Sequence, residues 1–253
     1  MIGDRDLAAF RQRYYELLVS LFWKEPAGEL LLSLSDGIRE RIDAAQNLHP
    51  LLAQGWEEMD HFLKETPSEQ LVEAVADEYT RLFIGPHSTQ VYPYESFYLT
   101  GNLLDRPLAN LRTFLRAVGI EKQEGYVEPE DFVAFEMEVM RWLSSKQISA
   151  ANPEEEKRWL EVQADFLKEH LLVWVPACAE DIEKAPGASF YRGAGMVLRG
   201  FLEVERNLFR EWGLDKITSL EEARQRYRAI PAWRGPTFEV PDDLPDARSP
   251  SKK

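Results

Sequence analysis

Apolar residues recur at three- and four-residue intervals along nearly the whole chain, the period of helices buried on one face. Leu7, Phe10, Tyr14, Leu17, Leu18 and Leu21 form the first stripe, and Pro26 closes it. Further helices are expected over Glu29–Ala45 and from Pro50 to just before Pro67. Thr66-Pro67-Ser68-Glu69 has the form of a capping box with proline at the first helical position, so a fourth helix should start there. Its stripe is Leu71, Val75, Tyr79 and Leu82, and it should end at Phe83. Asp105 reads as the cap of a helix stopping at Gly119, and another should run from Glu128-Pro129 to about Ser144. Asn152-Pro153-Glu154-Glu155 repeats the capping chemistry and opens a helix reaching Trp174, where Pro176 interferes. Ala194, Val197, Leu198, Phe201 and Leu208 mark a long helix ending at Gly213, and Ser219-Leu220-Glu221-Glu222 caps a short one. No strand alternation of useful length and no internal repeat occurs. The prediction is an all-α, single helical-bundle domain of about nine or ten helices.

One segment breaks this regularity. After Gly85-Pro86 the chain carries Tyr92, Pro93, Tyr94, Phe97 and Tyr98 in a stretch without helical period. Aromatics in a loop gain nothing from water, so they either fold onto the core or line a surface that receives an apolar ligand. Polar interruptions at 120–128 and 144–152 are candidate hinges between helical subdomains. From residue 229 to 253 the chain is rich in proline and aspartate, which divides it into a helical body, 1–228, and a tail, 229–253. Trp233, Phe238 and Val240 suggest that the first part of the tail packs in extended form.

A formal net charge of −14 argues against phosphate backbones as partners and suits basic peptides. Cys178 is the single cysteine, which rules out an intrachain disulfide and a thiolate metal cluster. The N-terminus has no signal-peptide core, and no run of apolar residues reaches bilayer length, so a cytoplasmic protein without stable membrane insertion is expected.

Enzyme signatures are weak. Glu58 and His61 have the Glu-x-x-His spacing of a di-iron bundle, but His49, His87 and His170 lack a glutamate three residues earlier. Gly193-Ala194-Gly195 follows no strand and reads as a close helix approach. His170 lies one turn from both Phe166 and Trp174, as a hydrogen-bonded core histidine would, and Cys178 reads as a small buried apolar residue. Two carboxylates stand out because they fall on apolar faces, Glu78 beside Leu71 and Glu136 between Phe132 and Val139. Each needs an internal partner, a salt bridge or helix-cap contact with an arginine such as Arg81, or a solvated groove.

Three separated segments resemble the TorD/DmsD/NarJ family of chaperones that bind twin-arginine leaders. The first is Glu78-Tyr-Thr-Arg-Leu-Phe-Ile-Gly-Pro86 with Pro93-Tyr-Glu-Ser-Phe-Tyr98. The second, Glu128-Pro-Glu-Asp-Phe-Val-Ala-Phe-Glu-Met-Glu138, is similar to the family's Pro-Asp-His-x-x-x-Glu-Leu helix start, with Phe132 in place of the histidine. The third is Phe166–Pro176 with Phe190-Tyr191 downstream, and the likeness runs from about residue 5 to 212. It implies an all-helical, TorD-type chaperone domain, a monomer or a helix-exchanged homodimer. It also implies a non-catalytic, cofactor-free role. Such a chaperone binds the apo form or twin-arginine leader of a molybdopterin-dependent oxidoreductase and holds it until cofactor insertion.

Carried onto this chain, the family motif corresponds to Tyr79, Leu82, Phe83, Gly85, Pro93, Tyr94, Glu95 and Ser96, with Asp131 and Glu136 at acidic positions. An arginine-bearing leader needs an apolar groove with carboxylates at one end. Tyr79, Leu82, Phe83, Pro93, Tyr94 and Phe97 are candidates for the groove, and Glu78, Glu95, Glu130 and Asp131 for the charge. Each aromatic is equally compatible with a plug holding the loop on the core. Two other readings stay open: an assembly factor for a non-exported reductase subunit, and a helical metalloenzyme, which the histidine count disfavours.

Overall fold

The computed structural model describes residues 5–85, 89–123 and 125–229. Among them the chain is helical with no strand; one isolated antiparallel bridge joins Tyr94 to Phe132. The expected tail beyond residue 229 lies outside the described residues, as do Pro86 and His87. In chain order the helices are α1 Arg5–Phe22, α2 Gly28–Gln46, α3 Pro50–Glu65, α4 Leu71–Tyr79, α5 Glu95–Thr100, α6 Arg106–Ala117, α7 Val133–Ile148, α8 Pro153–Phe166, α9 Leu172–Lys184, α10 Phe190–Leu208 and α11 Leu220–Ala229. Thr80–Ile84 and Leu167–Leu171 are π-helical turns.

These helices form two compact units that alternate along the chain. One comprises residues up to Leu17, Tyr94–Val173 and the chain from Ile217; the other comprises Leu18–Pro93 and Trp174–Lys216. The candidate hinges at 120–128 and 144–152 therefore lie inside one unit rather than between two. Two of the actual boundaries fall within continuous helices, α1 and α9, where helical periodicity continues and composition carries no mark.

In the second unit α10 packs on α3, and α2 packs on α3 and α4. Glycine makes the α3–α10 contact possible. A Cβ on Gly55 would stand 2.6 Å from the Val197 nitrogen, one on Gly193 2.8 Å from the Gly55 oxygen, and one on Gly200 2.5 Å from the Leu52 nitrogen. The close approach expected at Gly193-Ala194-Gly195 is thus divided: Gly193 belongs to this stripe, whereas a Cβ on Gly195 would stand 3.0 Å from the Ala179 oxygen of α9. In the first unit α7 packs on α8, with Trp142 and Trp159 meeting edge to face at 5.8 Å. A polar layer lies within this core: Gln163 donates to Gln147 at 3.1 Å, and Arg11 of α1 reaches the same Gln147 oxygen at 3.4 Å.

The local signals fared unevenly. Asn152 accepts from the Glu155 amide at 2.9 Å, and Ser219 and Glu222 cap each other as a reciprocal box. Asp105 accepts from the Arg106 amide at 2.7 Å, and α6 ends before Gly119, whose φ is +74°. Thr66, by contrast, closes α3, and Pro67 begins a turn, with the Gln70 amide donating to the Pro67 carbonyl at 2.9 Å. Regular helix resumes at Leu71, the first residue there with a buried side chain to anchor it. The helix expected from Glu128 begins at Val133, because residues 129–132 close a turn, with the Phe132 amide donating to the Pro129 carbonyl at 3.2 Å, and Phe132 then bridges to Tyr94. Pro176 lies inside α9 and does not end it: the chain widens through the π-turn at Leu167–Leu171 and continues to Lys184.

Candidate functional site

The residues singled out as peptide-binding divide between the two units, with Glu78, Tyr79, Leu82, Phe83 and Pro93 in one and Tyr94, Glu95, Ser96, Asp131 and Glu136 in the other.

In the first group, Glu78 sits at the end of α4, 3% exposed. Its two oxygens accept from three consecutive amides, Ser189 at 2.7 Å, Phe190 at 3.1 Å and Tyr191 at 2.9 Å. These are donors that the first turn of α10 leaves without helical partners, and a carboxylate there also meets the positive end of the helix. The partner required for a carboxylate on an apolar face is a helix start. Arg81 instead donates to the Gly187 carbonyl at 2.7 Å. Tyr79, Phe83, Phe22 and Tyr191 form a packed aromatic cluster with ring centroids 5.1 to 6.2 Å apart. Its two hydroxyls cap the end of α1: Tyr191 donates to the Leu21 carbonyl at 3.0 Å and Tyr79 to Phe22 at 3.3 Å. Burial holds the Tyr191 hydroxyl far above its ordinary pKa. Leu82 is fully buried, and its carbonyl accepts from Gln90 and Val91, drawing the returning loop inward. Pro93 is buried and Phe83 half-buried.

The second group centres on α5. Asp131 covers both first amides of this helix: its main-chain carbonyl accepts from Glu95 at 2.9 Å, and its carboxylate accepts from Ser96 at 3.0 Å. Asp131 therefore caps α5 and not α7, which begins two residues later at Val133. Glu95 is buried, and both its oxygens lie 3.1 Å from Nδ1 of His170. The rings of Phe114 and Phe166 flank that imidazole at 5.8 and 5.3 Å. Burial pushes the His170 pKa down to about 4. Burial, with Asp131 and Glu169 nearby, pushes Glu95 well up, and burial also raises Asp131. Both shifts favour the uncharged forms of the pair, a carboxyl against an imidazole. His170 is the hydrogen-bonded core histidine expected. Glu136 is fully buried on α7.

Tyr94 is the half-buried member of this group. Its ring lies 5.5 Å from that of Phe132, and its hydroxyl donates to Glu128 at 2.7 Å. Glu130 is held bidentately by Arg112 at 3.0 and 2.8 Å, which lowers its pKa despite partial burial. Glu128 lies in the second family-like segment, and its sequence neighbours give no sign of this role, which depends on Tyr94, 34 residues away. Leu103 and Leu104, just after α5, are 46% and 67% exposed, and Leu104 adopts φ +58°, a conformation that leucine rarely takes. Their period-free setting hid them. Glu58 and His61 lie on the outer side of α3, where His61 pairs with Glu65 at 3.2 Å.

A family model described as the nitrate reductase delta subunit matches residues 45–180, more than half of the 253-residue chain. The chain belongs to that family. Relatives named Chaperone protein TorD agree with it. One from Vibrio cholerae serotype O1 (Classical Ogawa 395) is 26% identical over 211 residues, covering 83% of this chain and 86% of the relative. One from Aeromonas salmonicida is 24% identical over 198 residues, covering 78% and 90%. A third, from Vibrio cholerae M66-2, is 26% identical over 138 residues, covering 54% and 63%. Membership of the TorD/NarJ chaperones, and a chaperone in place of an enzyme, thus agree with the reading of the sequence. The matched span contains α4, the aromatic segment, α5 and the Asp131 region, and α11 lies beyond it. Among the described residues no helix is long and apolar enough to cross a membrane.

Proposed function

We propose that this chain is a cytoplasmic maturation chaperone that binds the apo form of a molybdopterin-dependent oxidoreductase through its twin-arginine leader and holds it until cofactor insertion. Family membership carries the reading, and the chemistry around α5 is compatible with it. A leader presents two arginines and then an apolar stretch, and a net charge of −14 favours such a partner. Tyr94 with Glu128 supplies a half-buried aromatic edged by a carboxylate, and Leu103 and Leu104 supply exposed apolar surface in the same unit. In this reading Glu95, Ser96 and Asp131 act by fixing α5, and Glu78 acts by fixing α10, because all four are buried and bonded internally. Tyr94, with Glu128 added to the set, faces the client, and Phe83 does so to the extent that it is exposed.

Titration of a synthetic twin-arginine leader into the full chain tests this. Tyr94→Ala should weaken binding by about 1 kcal/mol or more. Glu128→Gln should weaken it by a similar amount and reduce its salt dependence. Binding unchanged in both folded variants would overturn the assignment. The family description, a nitrate reductase subunit, favours a second reading, an assembly factor that grips a non-exported apo-subunit without needing a leader. Capture of the leaderless apo-subunit with an affinity equal to that of the leader-bearing form would establish it.

A further inference from the structure

Helix α11 lies outside the residues matched by the family and is docked on the α5–α6 part of its unit. Ala223 packs against Leu99 and Val173, with Ile217, Leu220 and Tyr227 around them. Three polar contacts complete the interface. Arg224 Nε donates to the Tyr98 carbonyl at 2.7 Å, Asn110 donates to the Tyr227 hydroxyl at 2.7 Å, and Arg106 donates to the Tyr227 carbonyl. The Arg106 guanidinium also lies 5.8 Å from the centre of the Tyr227 ring.

Two properties of this helix are unusual for a structural element. It is held lightly: of its ten residues Ala223 alone is buried, and a helix this short is marginal without packing. Its second half is also basic within an acidic chain, with Arg224, Arg226 and Arg228 on alternate positions after Glu221 and Glu222. Arg224 occupies the last-turn carbonyl of α5, where the negative end of a helix favours a guanidinium, and Tyr227 follows one turn later beside Arg106. The face beneath α11 therefore accepts an arginine followed by an aromatic or apolar group, the same chemistry that an arginine-bearing leader presents.

We propose that α11 is a built-in occupant of a peptide-docking face on α5–α6, and that the arginine-bearing segment of the client displaces it. This rests on the leader-binding reading above. Docked α11 would lower apparent affinity in proportion to the fraction of time that the face is covered, which makes client binding selective for segments able to compete.

The test uses the full chain, its Ala223→Glu variant to undock α11, and Arg224→Ala as a milder second variant. The probes are a synthetic peptide of residues 217–229 and a synthetic twin-arginine leader. The 217–229 peptide should bind Ala223→Glu at least about tenfold more tightly than it binds the unaltered chain, with Arg224→Ala intermediate. The leader should follow the same order, and its binding to the unaltered chain should strip hydrogen-exchange protection from residues 220–229. A 217–229 peptide that binds no variant overturns the proposal, as does a leader that binds all three chains equally with α11 still protected. If the 217–229 peptide binds Ala223→Glu while the leader binds none of the chains, the leader reading fails and displaceable docking of α11 stands.

Discussion

Glu78 and Glu95 both face inward from short helical segments, and burial resolves them in opposite ways. Glu78 is satisfied as an acceptor by three amides at the start of α10, so removing it strands donors in a dry environment. Glu78→Ala should cost about 2–3 kcal/mol in urea unfolding. A small cost accompanied by lost client binding would instead make Glu78 a recognition residue. Burial, with Asp131 and Glu169 adding to it, favours the protonated form of Glu95, which lies against His170 with Tyr227 of α11 nearby. Its pKa is raised on folding, so its contribution to stability is complete below 4.5 and is lost as pH rises through the raised value. His170 has the reverse dependence: lowered from 6.5 to about 4, it costs stability as pH falls across that window. Glu95→Gln retains the uncharged shape. It should match the unaltered chain near pH 4 and become progressively more stable relative to it at higher pH, by at most about 1.4 kcal/mol per pH unit. Urea unfolding at a series of pH values checks this, and parallel curves would show that Glu95 is ionised in the folded chain. The helical wheel placed Glu78 and Glu136 inside. It had no means of naming the α10 amides that lie more than a hundred residues from Glu78.

Helices were the most legible elements because their burial pattern is local. The starts of α3, α6, α8 and α11 and the stripe of α1 follow directly from apolar spacing and capping side chains. Two of the errors arose where other contacts overrode a local signal. Residues 128–132 look helical yet form a turn, because Asp131 and Phe132 are engaged by α5 and Tyr94. Pro176 looks like a stop, yet buried residues on both sides, Trp174, Val175, Cys178 and Ala179, hold α9 together through it. The glycine stripe is the most sensitive element-scale contact. Gly200→Ala would set a Cβ 2.5 Å from the backbone of Leu52 and force α3 and α10 apart. A loss of about 1–3 kcal/mol is expected. Thermal unfolding measures it, with Gly37→Ala as the control, since nothing lies within 4 Å of a Cβ there.

At the scale of the whole molecule, acidity and interleaving matter most. Leader binding to a chain of net charge −14 should weaken as salt rises, because screening shortens the reach of the field to about 8 Å at physiological ionic strength. It should also carry a negative heat-capacity change from apolar burial. Calorimetry at several salt concentrations and temperatures tests both, and affinity independent of salt would remove charge from the account of recognition. The two units are woven from alternating stretches of chain, so the family motif itself is cut between Pro93 and Tyr94. Read linearly, Leu82, Phe83 and Tyr94 look like parts of one groove. In the structure Leu82 and Tyr79 are buried in one unit, and Tyr94 is half-buried in the other.

The sequence by itself determined the helical class, most helix starts, the inward direction of Glu78, Glu136 and His170, and the family, because each depends on neighbours three or four residues away or on contiguous motifs. Tertiary structure alone decided which groups those side chains meet: α10 for Glu78, His170 for Glu95, α5 for Asp131 and for the arginine of α11. Such partners lie from 35 to 126 residues apart in the chain, and only folding sets which distant amide, carbonyl or ring will share a buried space.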